Sequence, residues 1–364
     1  PTVIAKLVRV PNGDGAGMAS GSTQADSGHG GPHGGVAECE QPDPIDAAVT
    51  PSRRVLVTGA SGFIAGHLLP RLASRGHRVR AMWRGREGAG RTRAPGIDWV
   101  EGDVTLPETL SRATFECDVI VHLAGCSTAQ PGSSLEAVNV AGTRNLLVAG
   151  LDSGVQRIVY VSALGASPAA GPYFRSRFQA EDAVMSSGVE HVIVRPAVVY
   201  GPEDHFVSSI LALLRKLPVF PMLGDGTFRL QPIAVEDLVD VLTQSVERPD
   251  VEGGLYEVAG PDRISFTSIV RTVGEVAALR RPILPLPDGV ASPVTRLAQG
   301  AGFATPFTKE QLDVLRWGSV LSGDDNPLRT VFRIKPLPFR DALEDYLASG
   351  PGRPEDSSRS GGAS

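Results

Sequence analysis

The chain has 364 residues, more than the roughly 100–200 of a single domain, and 41% of them are hydrophobic, enough for a sizeable core. Its 40 acidic and 35 basic side chains leave a net charge of -5 with both signs interspersed, which argues against a nucleic-acid partner because no basic face is set aside for a phosphate backbone. Three cysteines without CxxC spacing (Cys39, Cys117, Cys126) argue against a disulfide framework or a zinc site. No apolar run approaches the ~20 residues of a membrane helix, so a cytoplasmic protein without a membrane span is expected.

Residues 1–52 read as a disordered tail: GDGAGMASGSTQADSGHGGPHGG holds almost no large apolar side chain to offset its ordering entropy. It opens on Pro1, with Met18 a candidate natural start, and His29 and His33 read as solvated linker residues. From Arg54 onward, short apolar runs alternate with helical patterns. A β-branched strand at Arg54–Thr58 precedes a helix at Phe63–Ser74, in which Phe63, Ile64, Leu68, Leu69 and Leu72 recur near the 3.6 period. Strands Val79–Trp83 and Ile97–Val100, helix Pro107–Ala113 and strand Asp118–Leu123 follow. Next come helix Leu135–Leu151, strand Arg157–Ser162, helix Pro172–Ser186 and strand His191–Arg195. Strands apolar on both faces, alternating with helices, predict an α/β domain over 53–200 with a doubly wound parallel sheet. Past Arg195 prolines become frequent. Strands Leu230–Ile233 and Leu255–Val258 and helices Val207–Lys216, Val235–Val246, Ser265–Ala278 and Lys309–Leu315 predict a smaller C-terminal α/β cap over 201–348. This cap is expected to interleave with the core and to cover the sheet's C-terminal edge, where open α/β sheets bind ligands. Residues 349–364 read as a second disordered tail.

Thr58-Gly59-Ala60-Ser61-Gly62-Phe63-Ile64-Ala65 sits between the first strand and the first helix. Gly59 permits the tight turn, Gly62 lets backbone approach a pyrophosphate, and Ala65 lets helix pack on strand. The free N–H groups of the helix start, over Ser61, Phe63 and Ile64, then face the phosphates. At the head of a βαβ unit this reads as a Rossmann-type dinucleotide site. The second strand ends Trp83-Arg84 where NAD-binding versions place a carboxylate for the ribose 2′-hydroxyl. A missing carboxylate removes repulsion of a 2′-phosphate and Arg84 can pair with it, so NADP(H) is favoured over NAD(H).

These residues resemble a known family. TGASGFIAGHL (58–68), EGDVT (101–105), VIVHLAG (119–125), NVAGTRNLL (139–147), IVYVSALG (158–165), YFRSR (173–177), VRPAVVYGP (194–202) and QPIAVEDL (231–238) together resemble the extended and atypical short-chain dehydrogenase/reductases, the NAD-dependent epimerase/dehydratase group. The likeness is nearest to the branch that holds a complex I accessory subunit. The resemblance implies that Asp103 and Val104 contact the adenine and that Leu123, Ala124 and Gly125 line the adenosine side. Pro196 to Val199 would lie along the nicotinamide, and Asn139 would tie down the central helix and a relay water. It also implies a possible homodimer through helices Leu135–Leu151 and Pro172–Ser186.

Family chemistry uses a tyrosine and a lysine four residues apart on one helix face. The tyrosine moves the proton, and the cation favours its charged form and holds the nicotinamide ribose. Here the pair is Tyr173 and Arg177, started by Pro172 at the first helical position. A planar guanidinium is not a conservative replacement for an ammonium. The family's serine hydroxyl falls on Ala163 or Leu164, leaving Ser162, Ser127 or Thr128 to supply it. The resemblance thus implies an oxidoreductase or epimerase that transfers hydride between nicotinamide and a carbonyl or alcohol of an unknown small molecule. The alternative is a weakly active or inactive NADP(H)-binding scaffold or sensor. Cys126 and His122 read as packed residues, and His205 as a candidate substrate contact.

Overall fold

The computed structural model describes residues 51–85, 95–129, 133–286, 315–317 and 320–349. The two tails, apart from their innermost residues, and the helix expected at Lys309–Leu315, apart from Leu315, lie outside the described residues.

Strands β1 (Arg54–Thr58), β2 (Arg78–Trp83), β3 (Ile97–Glu101), β4 (Val119–His122), β5 (Arg157–Val161) and β6 (Glu190–Pro196) build the first half. The second half adds β7 (Val199–Tyr200), β8 (Phe220–Leu223), β9 (Arg229–Leu230), β10 (Ile233–Ala234), β11 (Gly254–Val258), β12 (Ile264–Ser265) and β13 (Ile283–Leu286). The helices are α1 (Phe63–Ser74), α2 (Leu110–Thr114), α3 (Gly142–Asp152), α4 (Pro172–Met185), α5 (Phe206–Lys216), α6 (Val235–Glu247), α7 (Phe266–Val276), α8 (Pro327–Thr330) and α9 (Phe339–Ser349).

Seven strands form a Rossmann-type sheet in the order β11-β6-β5-β4-β1-β2-β3, with every neighbouring pair parallel. Period-two alternation divides its side chains between two cores. Val55, Val57, Val121, Val159 and Val194 face α1 and α6, while Leu56, Ile120, Ile158, Tyr160 and Ile193 face α2, α3 and α4. From β1 the chain goes one way to β2 and β3 and the other way from β4 onward, so a crevice opens past the C-terminal ends of β1 and β4. A third core, around Tyr200, Phe206, Ile210, Phe220, Phe266 and Leu343, belongs to the second half.

Four differences from the sequence reading have local causes. The strand expected at Leu230–Ile233 is two strands: β9 pairs antiparallel with β12, and β10 pairs parallel with β7. Pro232 has no N–H to carry a ladder across, and the Gln231 side chain turns away to donate to the Gly260 carbonyl at 2.8 Å. The strand expected at Leu255–Val258 is β11, which extends the main sheet beside β6. Strands β8 and β13 pair in parallel although each carries a proline, Pro221 and Pro285, that hides its pattern. The helix expected at Leu135–Leu151 begins with a wider π turn at Glu136–Ala141 before α3. Gly142 then lets the helix approach the sheet edge, because a Cβ there would stand 2.7 Å from Val104 Cγ2. Among the described residues no helix is long and apolar enough to cross a membrane.

Candidate active site

The turn after β1 is shaped by its glycines. Gly59 has φ +68°, and a Cβ on it would lie 2.8 Å from the Ala124 nitrogen, so the loop after β4 is packed directly on it. A Cβ on Gly62 would lie 3.1 Å from the Gly59 carbonyl oxygen. Gly62 is the extended N-cap residue of α1 and no side chain caps the helix, so its first N–H groups face the crevice. A cavity of about 270 Å³ opens there. It brings together Gly59, Ser61, Gly62, Arg84, Asp103, Val104, Leu123, Ala124 and Gly125 from the sequence-predicted set, and adds Met82, Gly102, Cys126, Thr128, Ser133 and Val138. Glycine where a side chain would block backbone, an uncapped helix start and a lining from four strand ends fit a dinucleotide.

Arg84 is mostly exposed, and its Nε lies 3.9 Å from Asp103 Oδ2. The other Asp103 oxygen accepts from the Thr105 N–H (2.9 Å) and hydroxyl (2.8 Å), which holds this carboxylate at the cavity edge.

Beneath the cavity runs a hydrogen-bond chain whose protons can all be assigned. The Ala124 N–H donates to Thr58 Oγ1 (3.1 Å), which donates to His122 Nδ1 (2.7 Å). Thr143 Oγ1 gives its proton to the Asn139 carbonyl (2.6 Å), so it accepts from His122 Nε2 (3.0 Å) and the ring carries its proton there. Full burial and the charge of Arg177 push the His122 pKa down to about 3, so the ring is neutral. Asn139, in the π turn, accepts from the Cys126 N–H and donates to the Cys126 carbonyl, both at 2.9 Å. Its second amide proton goes to Ser176 Oγ at 2.9 Å, and Ser176 donates to the Tyr173 carbonyl at 2.7 Å. The strand-end loop and the first turn of α4 therefore share one buried scaffold. The Asn139 side chain is fully engaged within it, which leaves no amide proton for the relay water the resemblance implied.

Tyr173, Arg177 and Ser162 line a second cavity of about 270 Å³, which meets the first at Leu123. Ile64, Pro196 and Val199 from the predicted set also line it, while Phe63 and Asn139 line neither cavity. Arg177 is 8% exposed, with its guanidinium carbon 5.5 Å from the Tyr173 ring centre. Its Nη1 donates weakly to the Tyr160 hydroxyl and the Val161 carbonyl, both at 3.4 Å, and its Nε has no partner. Burial opposes its charge, and the oxygens of Tyr173 and Tyr160 more than offset this. The guanidinium fits because position 125 is glycine: a Cβ there would meet both terminal nitrogens, Nη1 at 2.7 Å.

Ser162 is not free to donate. Its hydroxyl donates to the fully buried Glu181, which Arg195 grips in a two-pronged pair through Nε (2.8 Å) and Nη2 (2.6 Å). Glu181 was missed in the sequence because an acidic residue on a helix reads as surface, and Tyr160 because it reads as a strand hydrophobe. Burial pushes the Cys126 thiol pKa up, away from reactivity. His205 is exposed and lines neither cavity. Among the described residues no group of His, Cys, Asp or Glu is arranged to hold a metal.

Comparison with known proteins agrees with this geometry. The profile of the NAD dependent epimerase/dehydratase family matches residues 55–259. A ceramide reductase of Caulobacter vibrioides is 31% identical over 236 residues, covering 64% of this chain and 74% of the relative. NADH dehydrogenase [ubiquinone] 1 alpha subcomplex subunit 9 of Arabidopsis thaliana is 26% identical over 290 residues, covering 75% and 71%. The solved UDP-glucose 4-epimerase of Thermotoga maritima with UDP-glucose superposes with a TM-score of 0.65 at 17% identity, covering 81% of this chain and 97% of that one.

Proposed function

The chain belongs to the NAD dependent epimerase/dehydratase family, and from that premise we propose that it is an oxidoreductase that binds NADP(H) and interconverts a carbonyl and an alcohol. The observation that carries this reading is the meeting of the two cavities at Leu123, one shaped for a dinucleotide and the other holding Tyr173 over Arg177. The nicotinamide, when bound, supplies or takes up the hydride. Gly59, Gly62 and the start of α1 hold the pyrophosphate, and Arg84 pairs with the 2′-phosphate. Tyr173 gives its hydroxyl proton to the carbonyl oxygen in reduction and takes it back in oxidation. The desolvated charge of Arg177 favours the negative charge that develops on the tyrosine oxygen as the proton leaves. Exposed Val148, Leu151 and Met185 on α3 and α4 support a homodimer through these helices.

A second reading is an NADP(H)-binding scaffold or sensor without turnover. It is supported by the commitment of Ser162 to Glu181, which removes a hydroxyl donor from the reaction cavity. Carbonyl reduction with NADPH, compared with Tyr173→Phe, decides between them. Turnover that falls roughly 10²–10⁴-fold in the variant, with NADPH binding kept, supports the enzyme. Binding without turnover in the native protein and in Arg177→Lys supports the scaffold.

A further inference from the structure

Behind the wall of the reaction cavity lies another hollow. Val199 of β7 lines the reaction cavity, and the next residue, Tyr200, lines a cavity of about 350 Å³ between β7, the start of α6 and α9. Tyr200 is 2% exposed, and its ring packs edge-on against Phe339 with centres 4.9 Å apart. Among the described residues nothing hydrogen-bonds its hydroxyl. Asp237, half-buried in the first turn of α6, likewise has neither a hydrogen-bond donor nor a basic partner among the described residues. The two groups feel each other: burial, then the charges of Asp237 and Asp262, push the Tyr200 pKa up. Burial and the charges of Asp240 and Glu236 push the Asp237 pKa up to about 6, so it is ionised at neutral pH. The other carboxylates of the lining are Asp345 and Glu236, the latter held by His67 and Arg71 of α1. No basic side chain is among the described residues that line the cavity.

An anion here would face three carboxylates, and a neutral alcohol would leave the partly dehydrated charge of Asp237 without a partner. A metal ion is not indicated, because among the described residues no group of His, Cys, Asp or Glu is arranged to hold one. A protonated amine meets each demand. Its N–H groups donate to a carboxylate and to a hydroxyl oxygen at once, and the rings of Tyr200 and Tyr346 favour a cation beside them. Leu337, 50% exposed, offers apolar surface to the chain that carries the amine. We infer that this cavity binds a protonated primary amine on a short apolar chain, with Asp237 and the Tyr200 hydroxyl accepting its N–H groups. None of its lining residues lines the cofactor or reaction cavity, so the site stands apart from the oxidoreductase reading.

The test is calorimetric titration of the full chain at neutral pH with pentylamine, pentanol and pentanoate, which share one alkyl chain and differ in charge. Pentylamine is expected to bind saturably, about tenfold or more tighter than pentanol, and pentanoate not to bind. Asp237→Asn, which keeps the shape and removes the charge, should weaken the amine by about tenfold or more. Tyr200→Phe, which keeps the ring against Phe339, should weaken it by about three- to tenfold. Both variants are expected to keep the native circular-dichroism spectrum, and the order of the three probes on the native protein needs no variant. Nα-acetyl-lysinamide, titrated alongside, separates two sources of the same chemistry. Binding at least as tight as pentylamine assigns the ammonium to a lysine side chain of a partner protein, and weaker binding assigns it to a free amine. Two results overturn the inference. One is pentylamine binding no more tightly than pentanol. The other is amine affinity unchanged in Asp237→Asn, which would reduce it to general attraction of a cation to an acidic chain.

Discussion

The two cavities share Leu123 but are built by different means. The cofactor cavity is a matter of backbone: its shape depends on where a Cβ is absent, at Gly59 and Gly62, and on a helix start left uncapped. The reaction cavity is a matter of side chains: Ser162 is committed to Glu181 deeper in the fold, and Arg177 lies under Gly125 with two weak hydrogen bonds and an unpartnered Nε. The difference teaches that the first tolerates almost no added atom, whereas the second can change its chemistry by re-pairing side chains while the fold stays intact.

The sharpest way to break this comparison is Gly59→Ala. The new methyl meets Ala124 backbone in a left-handed conformation, φ +68°, that alanine resists. NADPH binding is expected to fall by at least about a hundredfold, with a loss of roughly 1–3 kcal/mol in denaturant stability. Near-normal affinity in a titration of this variant would show that the turn is not packed as described.

Gly125→Ala is expected to act mainly on the reaction cavity. Its methyl displaces the Arg177 guanidinium, whose charge has little room elsewhere, at a cost of about 1–3 kcal/mol of overpacking. Combining it with Arg177→Lys, which is slimmer at its tip, should recover most of the lost melting temperature and cofactor affinity. A double variant no better than Gly125→Ala alone would mean that the two positions do not interact.

An effect confined to acid pH follows from His122, whose folded pKa of about 3 lies below its unfolded value near 6.5. The neutral ring contributes stability that is fully present above pH 6.5 and is lost progressively as pH falls toward 3. At the acid end the loss reaches roughly 4 kcal/mol. Melting temperature should therefore decline through this window, and His122→Gln, which starts lower, should decline less steeply. Parallel profiles for the two proteins would remove His122 as the cause.

The same contrast explains what was legible in the sequence. Glycine spacing after a β-branched strand dictates backbone geometry, so the turn and its helix follow from residues 54–74 alone, while strands apolar on both faces, alternating with helices over 53–200, point to a parallel sheet but not to its strand order. Tyr173 and Arg177 were singled out through the family resemblance, which places a tyrosine and a cation four residues apart on one helix. Their surroundings could not be read in this way: the niche for Arg177 is made by Gly125 and by Tyr160 on different strand ends, and the partner of Ser162 is a helix residue, so only the tertiary fold brings them together. The π turn at Glu136–Ala141 is likewise hidden, because hydrophobic periodicity does not register a single widened turn, yet it carries the Asn139 that clamps Cys126 to α4 through Ser176. Pro232 was visible, but not which partner each side of it would choose.

The central claim is that the crevice past β1 and β4 holds a nicotinamide dinucleotide, with Arg84 selecting the phosphorylated form. Equilibrium titration of the purified protein with NADPH and NADH, with Arg84→Asp alongside, tests it most directly. The account predicts tighter NADPH binding, by about tenfold or more, and loss of that preference in the variant, where a carboxylate replaces the cation. Binding of neither dinucleotide would contradict it.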